Sequence, residues 1–151
     1  MKRLFLDTNV ILDLLATRAP FYDSVAKIAT LADQKKLQLI TSPVSFTTVE
    51  YVLSKFKSAD HAIGMLLKFR IICDVCAVDQ EIIDKSSNSD FKDFEDAVQY
   101  YSAFKSSCSV ILTRNGKDFK HAKIPVMTAD EFLKSFVQKG KIFLLKCSET
   151  P

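Results

Sequence analysis

The chain has 151 residues, of which 48% are hydrophobic and 26% charged, and its formal net charge is +3. This length suits one domain with a sizeable core, and with only three glycines and four prolines the composition is unlike that of a disordered chain. The longest apolar runs are too short to cross a bilayer, and the first residues lack the long apolar stretch of a signal peptide. We therefore expect a cytoplasmic protein that does not enter a membrane.

Short apolar runs alternate with longer segments of helical periodicity, which predicts an α/β fold with a mostly parallel sheet of about five strands. The predicted strands span residues 3–6, 37–41, 71–75, 109–113 and 125–127. The predicted helices span residues 9–17, 22–34, 59–69, 79–86 and 92–106, with one more starting at Ser42-Pro43. Thr128 and Glu131 form a capping box that starts a last helix. Residues 141–147 are predicted to form an edge strand or an extended segment, and residues 148–151 to be frayed.

The four cysteines do not predict a metal site. Cys73 and Cys76 form a C-x-x-C pair inside an apolar run, with Cys108 and Cys147 elsewhere. No second such pair completes a zinc site, and the chain has only two histidines. We expect buried, reduced thiols in a reducing compartment.

Polar side chains follow two predicted strands that we expect to be neighbours. Asp7-Thr8-Asn9 comes after the first strand, and Thr113-Arg114-Asn115, followed by Asp118, comes after the fourth. Open parallel sheets bind ligands at the carboxyl ends of their strands, and carboxylate, hydroxyl and amide oxygens suit a hard divalent cation. Asp7 either caps the next helix or binds a metal or phosphate, because a carboxylate after a buried strand is costly unless something satisfies it.

Two predicted helices add further acids. Glu50 flanks the apolar face of its helix, while Asp93, Glu95 and Asp96 occupy the first turns of the helix over residues 92–106. Acids at a helix start also complement the helix dipole, and the helical wheel does not choose between Asp93 and Asp96.

Five segments, in order from about residue 3 to 137, together resemble the PIN-domain family, and in particular its small stand-alone toxins of prokaryotic toxin–antitoxin systems. They are LFLDTNVILDLL, SPVSFTTVEYVL, DFEDAVQYYSA, VILTRNGKDF and IPVMTADEFL. The resemblance implies a three-layer α/β/α fold with a nuclease domain over residues 1–138 and a C-terminal extension over residues 139–151.

Position by position, the resemblance implies that Asp7, Glu50 and Asp96 form the catalytic, metal-binding set. Many members carry an aspartate directly after the Thr-Arg pair, where this chain has Asn115, so Asp118 is the best candidate for the fourth acid. The expected supporting residues are Thr8, Asn9, Asp93, Thr113 and Asn115. The expected RNA-binding residues are Arg114 and Lys117, with Lys55, Lys57, Lys68 and Arg70 as a candidate phosphate track.

The resemblance further implies Mg²⁺- or Mn²⁺-dependent hydrolysis of RNA by a toxin that an antitoxin protein holds in check. A homodimer is expected, with contacts at Phe21-Tyr22 or at residues 143–145. The alternative is a PIN-like module that binds RNA or protein without cutting, motivated by Asn115. A haloacid-dehalogenase-type phosphohydrolase would need a second aspartate at Asn9, and a receiver domain would need an acidic pair beside Asp7.

Overall fold

The computed structural model describes the backbone of residues 1–148 and the side chains of residues 1–140. Strands and helices alternate along this part of the chain, with a 3-10 helix at Gly116–Phe119. The strands are β1 (Lys2–Leu6), β2 (Leu37–Thr41), β3 (Cys73–Val75), β4 (Val110–Leu112) and β5 (Val126–Met127). The helices are α1 (Thr8–Leu15), α2 (Tyr22–Asp33), α3 (Pro43–Phe56), α4 (Ala59–Phe69), α5 (Gln80–Ser87), α6 (Phe94–Lys105) and α7 (Ala129–Ser148).

The five strands form one parallel sheet in the order β3-β2-β1-β4-β5, which confirms the predicted sheet. The central strand β1 pairs with β2 on one side and with β4 on the other, so that Leu4 lies opposite both Leu39 and Val110. Along the chain, β2 and β3 therefore add to one side of β1, and β4 and β5 then add to its other side. Parallel sheets bind ligands at such a reversal, beyond the carboxyl ends of the two strands.

Alternate side chains of β1 enter two separate apolar clusters, one on each face of the sheet. Leu4 and Leu6 pack with residues of α1, α2, α3, α4 and α7, including Phe132. Phe5 packs on the opposite face with Tyr100 of α6 and with Phe119 of the 3-10 helix. A strand that is apolar on both faces is what a sheet covered by helices on both sides requires. The predicted three-layer α/β/α fold is confirmed.

Helix starts follow the sequence signals. The Ser42 hydroxyl accepts a hydrogen bond from the Ser45 backbone N–H at the start of α3, where Pro43 is the first helical residue. The Thr128 backbone N–H donates to Glu131 Oε2 at 2.9 Å, and the Glu131 N–H donates to the Thr128 hydroxyl at 3.2 Å. These are the two reciprocal bonds of the predicted capping box.

The predicted strand over residues 141–147 is wrong, because α7 continues as a helix to Ser148. A short apolar run fits a strand and a buried helix equally well, and here it extends a helix that has already begun. Because α7 also crosses residues 138 and 139, no break marks the proposed domain boundary, which stays a prediction. The apolar contact expected at residues 143–145 lies outside the described side chains, as does the fraying expected beyond residue 148. Over the described residues, no helix is long and apolar enough to span a bilayer.

Three of the cysteines are free thiols in the described structure. Cys73 and Cys108 are buried and Cys76 is half-buried, and burial raises the pKa of the Cys108 thiol to about 12. This confirms the expected buried, reduced thiols at Cys73 and Cys108; the side chain of Cys147 lies outside the described part.

Candidate active site

Asp7 lies directly after β1, where the end of β4 and the start of α1 both contact it. Its backbone N–H donates to the Leu112 carbonyl of β4 at 3.0 Å. Its buried carboxylate accepts from the Thr8 N–H at Oδ1 and from the Thr113 hydroxyl at Oδ2, each at 2.8 Å. Burial raises the pKa of Asp7, whereas these hydrogen bonds oppose the rise. Asp7 therefore caps α1 and also presents an acid at the sheet edge.

Asp93 and Asp96 have different roles at the start of α6, which the sequence alone did not separate. Asp93 is the N-cap and accepts a hydrogen bond from the Asp96 backbone N–H at 3.1 Å. Burial is the largest cause that raises the pKa of the Asp96 carboxyl to about 7. Nearby negative charge adds to that rise, and it comes from Asp7, Asp93, Asp118 and Glu95.

Asp118 is close enough to the other acids to act on them. It lies in the exposed 3-10 helix after β4, and its charge raises the pKa of both Asp7 and Asp96. Its backbone N–H donates to the Asn115 carbonyl, and the Asn115 N–H donates to the Thr113 hydroxyl at 3.1 Å. Thr113 thus links the Asp118 loop to the Asp7 carboxylate. The structure brings together three of the four acids expected from the sequence.

Glu50, the fourth expected acid, makes no described contact with this group, and its role stays a prediction. It makes no hydrogen bond or ion pair in the described part of the chain, and its charge is not among the causes that raise the pKa of Asp7, Glu95 or Asp96. Ser45 of the same helix is the residue that faces the group. Five residues separate Ser45 from Glu50, which rotates them about 140° apart around the helix axis.

A buried polar network, which the sequence analysis missed, joins α3 and α6 to the end of β1. The Thr8 and Ser45 hydroxyls are 3.0 Å apart, and the Gln99 amide donates to both of them. The Ser42 hydroxyl in turn donates to Gln99 Oε1. Thr8 also donates to Glu95 Oε1 at 3.3 Å, which places Glu95 beside the other acids. A usable signal existed, because Gln99 is a polar residue one turn after Asp96 in a helix of otherwise apolar periodicity.

Arg114 contacts two residues of the protein. Its Nε lies 2.9 Å from Oδ2 of Asp13, a fully buried acid of α1 that the sequence analysis did not single out. Its guanidinium group stacks 4.2 Å from the Phe21 ring centroid. The expected RNA-binding roles of Arg114 and Lys117 stay predictions; the Lys117 side chain is exposed.

The remaining expected residues are spread over the surface. Asn9 is half-buried and makes no side-chain hydrogen bond in the part of the chain described. Lys55 stacks on Tyr51, with Nζ 4.0 Å from the ring centroid, and Arg70 pairs with Asp74 at 3.8 Å. Lys57 and Lys68 line a separate groove between α1, α2, α3 and α4. The structure gives no continuous phosphate track through these four cations.

Residues 3–117 match the sequence pattern of the PIN domain. The chain belongs to the PIN-domain family. It is 31% identical over 136 residues to ribonuclease VapC1 of Aquifex aeolicus (strain VF5), covering 87% of this chain and 93% of that protein.

Solved structures share the fold of this PIN domain. VapBC2 of Rickettsia felis, bound to a promoter DNA fragment, superposes with a TM-score of 0.63 at 15% identity, covering 83% of this chain and 98% of that one. VapC20 of Mycobacterium tuberculosis, a toxin that cleaves the sarcin-ricin loop, gives 0.60 at 15% identity over 76% and 92% of the two chains. VapBC of Salmonella typhimurium, bound to DNA, gives 0.65 at 14% identity over 85% and 99%.

The five acids near the ends of β1 and β4 suit a divalent cation, because they offer carboxylate oxygens as ligands and carry negative charge. In the described residues, no three histidine, cysteine or acidic side chains already stand close enough to share an ion. The acids nevertheless gather without a compensating cation, since none forms an ion pair with a described lysine or arginine. They are Asp7, Asp93, Glu95, Asp96 and Asp118. Crowded carboxylates of this kind repel one another, and a bound cation relieves that repulsion.

Proposed function

We propose that this PIN domain is a metal-dependent ribonuclease and the toxin of a toxin–antitoxin pair. One observation carries the proposal: Asp7, Asp96 and Asp118 come from three distant segments, and the charge of Asp118 raises the pKa of the other two. The likeness to ribonuclease VapC1 over most of both chains supports RNA as the substrate.

Asp7, Asp96 and Asp118 would hold Mg²⁺ or Mn²⁺, and Glu95 rather than Glu50 is the additional acid within reach. When bound, such an ion lowers the pKa of a water molecule and stabilises negative charge on the leaving oxygen of a phosphodiester. Because no three acids yet share one point, we expect their side chains to converge when the cation binds.

The other residues of the site position these acids. The Thr113 hydroxyl and the Thr8 N–H oppose the rise in the pKa of Asp7 that burial causes, and they fix the orientation of its carboxylate. Gln99 holds the start of α3 against α6, and Asp93 ties down the first turn that carries Asp96. A site fixed by neighbours in this way holds its charges in place before the substrate arrives.

An antitoxin protein is the proposed partner, since the VapBC structures that share this fold are toxin–antitoxin complexes by name. The groove between α1, α2, α3 and α4, about 990 Å³ in volume, suits an apolar segment of such a partner. Its apolar walls include Leu14, Leu15, Leu53 and Phe69, and basic residues such as Arg18 and Lys57 also line it. The homodimer stays a prediction.

The proposal is tested by incubating the purified protein with labelled structured RNAs in Mg²⁺, Mn²⁺ or EDTA. Asp7→Asn tests the site, and Glu50→Gln is the matched control acid, because Glu50 makes no hydrogen bond or ion pair in the described part of the chain. We expect metal-dependent cleavage that Asp7→Asn abolishes and Glu50→Gln preserves. Cleavage that survives both EDTA and Asp7→Asn would contradict the proposal. RNA that is bound but never cut, in any metal, would favour the non-catalytic module.

A further inference from the structure

A pocket of about 420 Å³, lined by aromatic side chains, lies between α6 and the loop that follows Asp118. The Phe91 ring stacks on Tyr100 with centroids 5.2 Å apart, and the His121 ring meets Phe91 edge-on at 6.3 Å. Tyr101 and Phe104 complete this aromatic lining, and Phe104 is 54% exposed. Tyr100 is buried, Phe91 and Tyr101 are half-buried and Phe104 is exposed, so only part of this aromatic lining faces the solvent.

The aromatic pocket is joined to the acids by two short connections. On α6, Asp96, Tyr100 and Phe104 follow one another at intervals of four residues, so they share a face at steps of about 6 Å along the axis. On the loop, Asp118 is followed by the buried Phe119, whose ring contacts Phe91 with centroids 6.1 Å apart. Tyr100 and Phe104 thus lie about 6 and 12 Å along the helix axis from Asp96, within reach of a substrate strand bound at the acids.

Positive charge lines the same path. Residues 117–123 place four basic side chains at the surface, and in the described residues none of them forms an ion pair. They are Lys117, Lys120, His121 and Lys123. Lys123 is held at the pocket because its backbone N–H donates to the Tyr100 hydroxyl at 3.3 Å. One acid, Asp90, also lines the pocket, beside the polar side chains of Asn88 and Ser89.

We propose that this pocket binds an unpaired base of the RNA substrate, next to the bond that is cut, with Lys120 and Lys123 on the adjoining phosphates. Aromatic faces beside a basic groove bind single-stranded nucleic acid of any sequence by stacking, and nearby amide and hydroxyl groups can read the edge of the base. The inference rests on the proposed ribonuclease function and adds to it a stacking site for one base beside the cleavage site.

The test places 2-aminopurine, a fluorescent base that is quenched by stacking, beside the cleavage site of a short RNA bound to the full-length protein in EDTA. We expect quenching on binding, which Phe104→Leu and Tyr101→Leu reduce. Loss of one stacked base weakens binding about fivefold to hundredfold. Lys123→Ala should lower the slope of log affinity against log salt by about 0.7, the value for one phosphate contact on a single strand.

Tyr51→Leu and Lys27→Ala are the matched controls, because Tyr51 is an exposed aromatic residue of α3 and Lys27 an exposed lysine of α2, and neither lines the aromatic pocket. They should leave quenching and affinity unchanged, and thermal melts should show that all variants fold. In Mg²⁺, the pocket variants should raise KM more than they lower kcat.

Unchanged quenching in both aromatic variants, or equal losses in the controls, would overturn the inference even if the RNA is cleaved. Quenching that depends on the pocket, in a protein that cuts no RNA, would uphold the pocket and reject the nuclease. A pocket that binds a protein partner instead would show no quenching with any RNA.

Discussion

The ion pair between Asp13 and Arg114 gives a prediction whose size follows from burial. Arg114 Nε lies 2.9 Å from Asp13 Oδ2; the Asp13 side chain is 1% exposed and that of Arg114 is 30% exposed. Burial raises the pKa of Asp13, and the charge of Arg114 opposes the rise. The pair joins α1, which begins after Asp7, to the loop that leads to Asp118.

Replacing Arg114 with methionine removes the cation and leaves the Asp13 carboxylate buried. Breaking a buried pair from one side costs about 3–5 kcal/mol, and the partial exposure of Arg114 favours the lower end, about 3 kcal/mol. The double variant Asp13→Leu/Arg114→Met should regain most of this loss, because an apolar pair carries no uncompensated charge.

Urea denaturation at pH 7 measures these changes in the free energy of unfolding. Lys134→Met is the control, because its partner Asp130 forms a surface pair whose side chains are 73% and 60% exposed, and such pairs contribute about 0.2–1 kcal/mol. Without Arg114 the pKa of Asp13 rises further, so the native state holds its proton more tightly than the unfolded state. The loss in Arg114→Met should therefore shrink as the pH falls from 7 to 5. A loss no larger than that of Lys134→Met, or a double variant as unstable as the single one, would refute the reasoning.

Three further predictions concern the acids. Because the pKa of Asp96 is raised to about 7, the metal-free native state keeps a proton that the unfolded state has lost, so stability should fall from pH 4 to 7. Since Asp96 is half-exposed, we expect the free energy of unfolding, measured by denaturation at each pH, to fall by about 1–2 kcal/mol over this range. An equally steep fall with pH in Asp96→Asn would contradict this prediction. Thr113→Val removes a hydrogen bond that lowers the pKa of Asp7, so the acidic limb of the pH–rate profile should move to higher pH; an unmoved limb would exclude this role. Asp118→Asn should weaken Mn²⁺ binding in calorimetry at least tenfold, whereas Glu50→Gln should change it less than twofold, and the reverse order would restore Glu50 to the site.

The fold was predictable because each element carries a local signal that agrees with its neighbours. Apolar runs with β-branched residues predicted the strands, and Ser42-Pro43 and the Thr128 capping box predicted two helix starts. The end of α7 was not predictable in this way. Residues 142–145 are a continuous apolar run, and such a run has no period that separates strand from helix.

The site was predictable where it depends on strand ends and not where it depends on helix rotation. Asp7 and Thr113 follow β1 and β4 directly, so the sheet alone places them together. Glu50 was chosen from a motif, but a shift of a few residues along a helix turns a side chain to another face, and the structure presents Ser45 instead. The ion pair of Arg114 with Asp13 was not predictable, because the two residues are about a hundred positions apart in the sequence and no local pattern indicates that contact.

The position of β1 between β2 and β4 also governs when activity can first arise during synthesis. The strand that starts the chain stays unpaired on one edge until residues 110–112 leave the ribosome, and Thr113 and Asp118 emerge later still. At about 5–20 residues per second, that delay is roughly 5–20 s. A growing chain therefore completes the group of acids only after β4 and the Asp118 loop have followed β1 out of the ribosome.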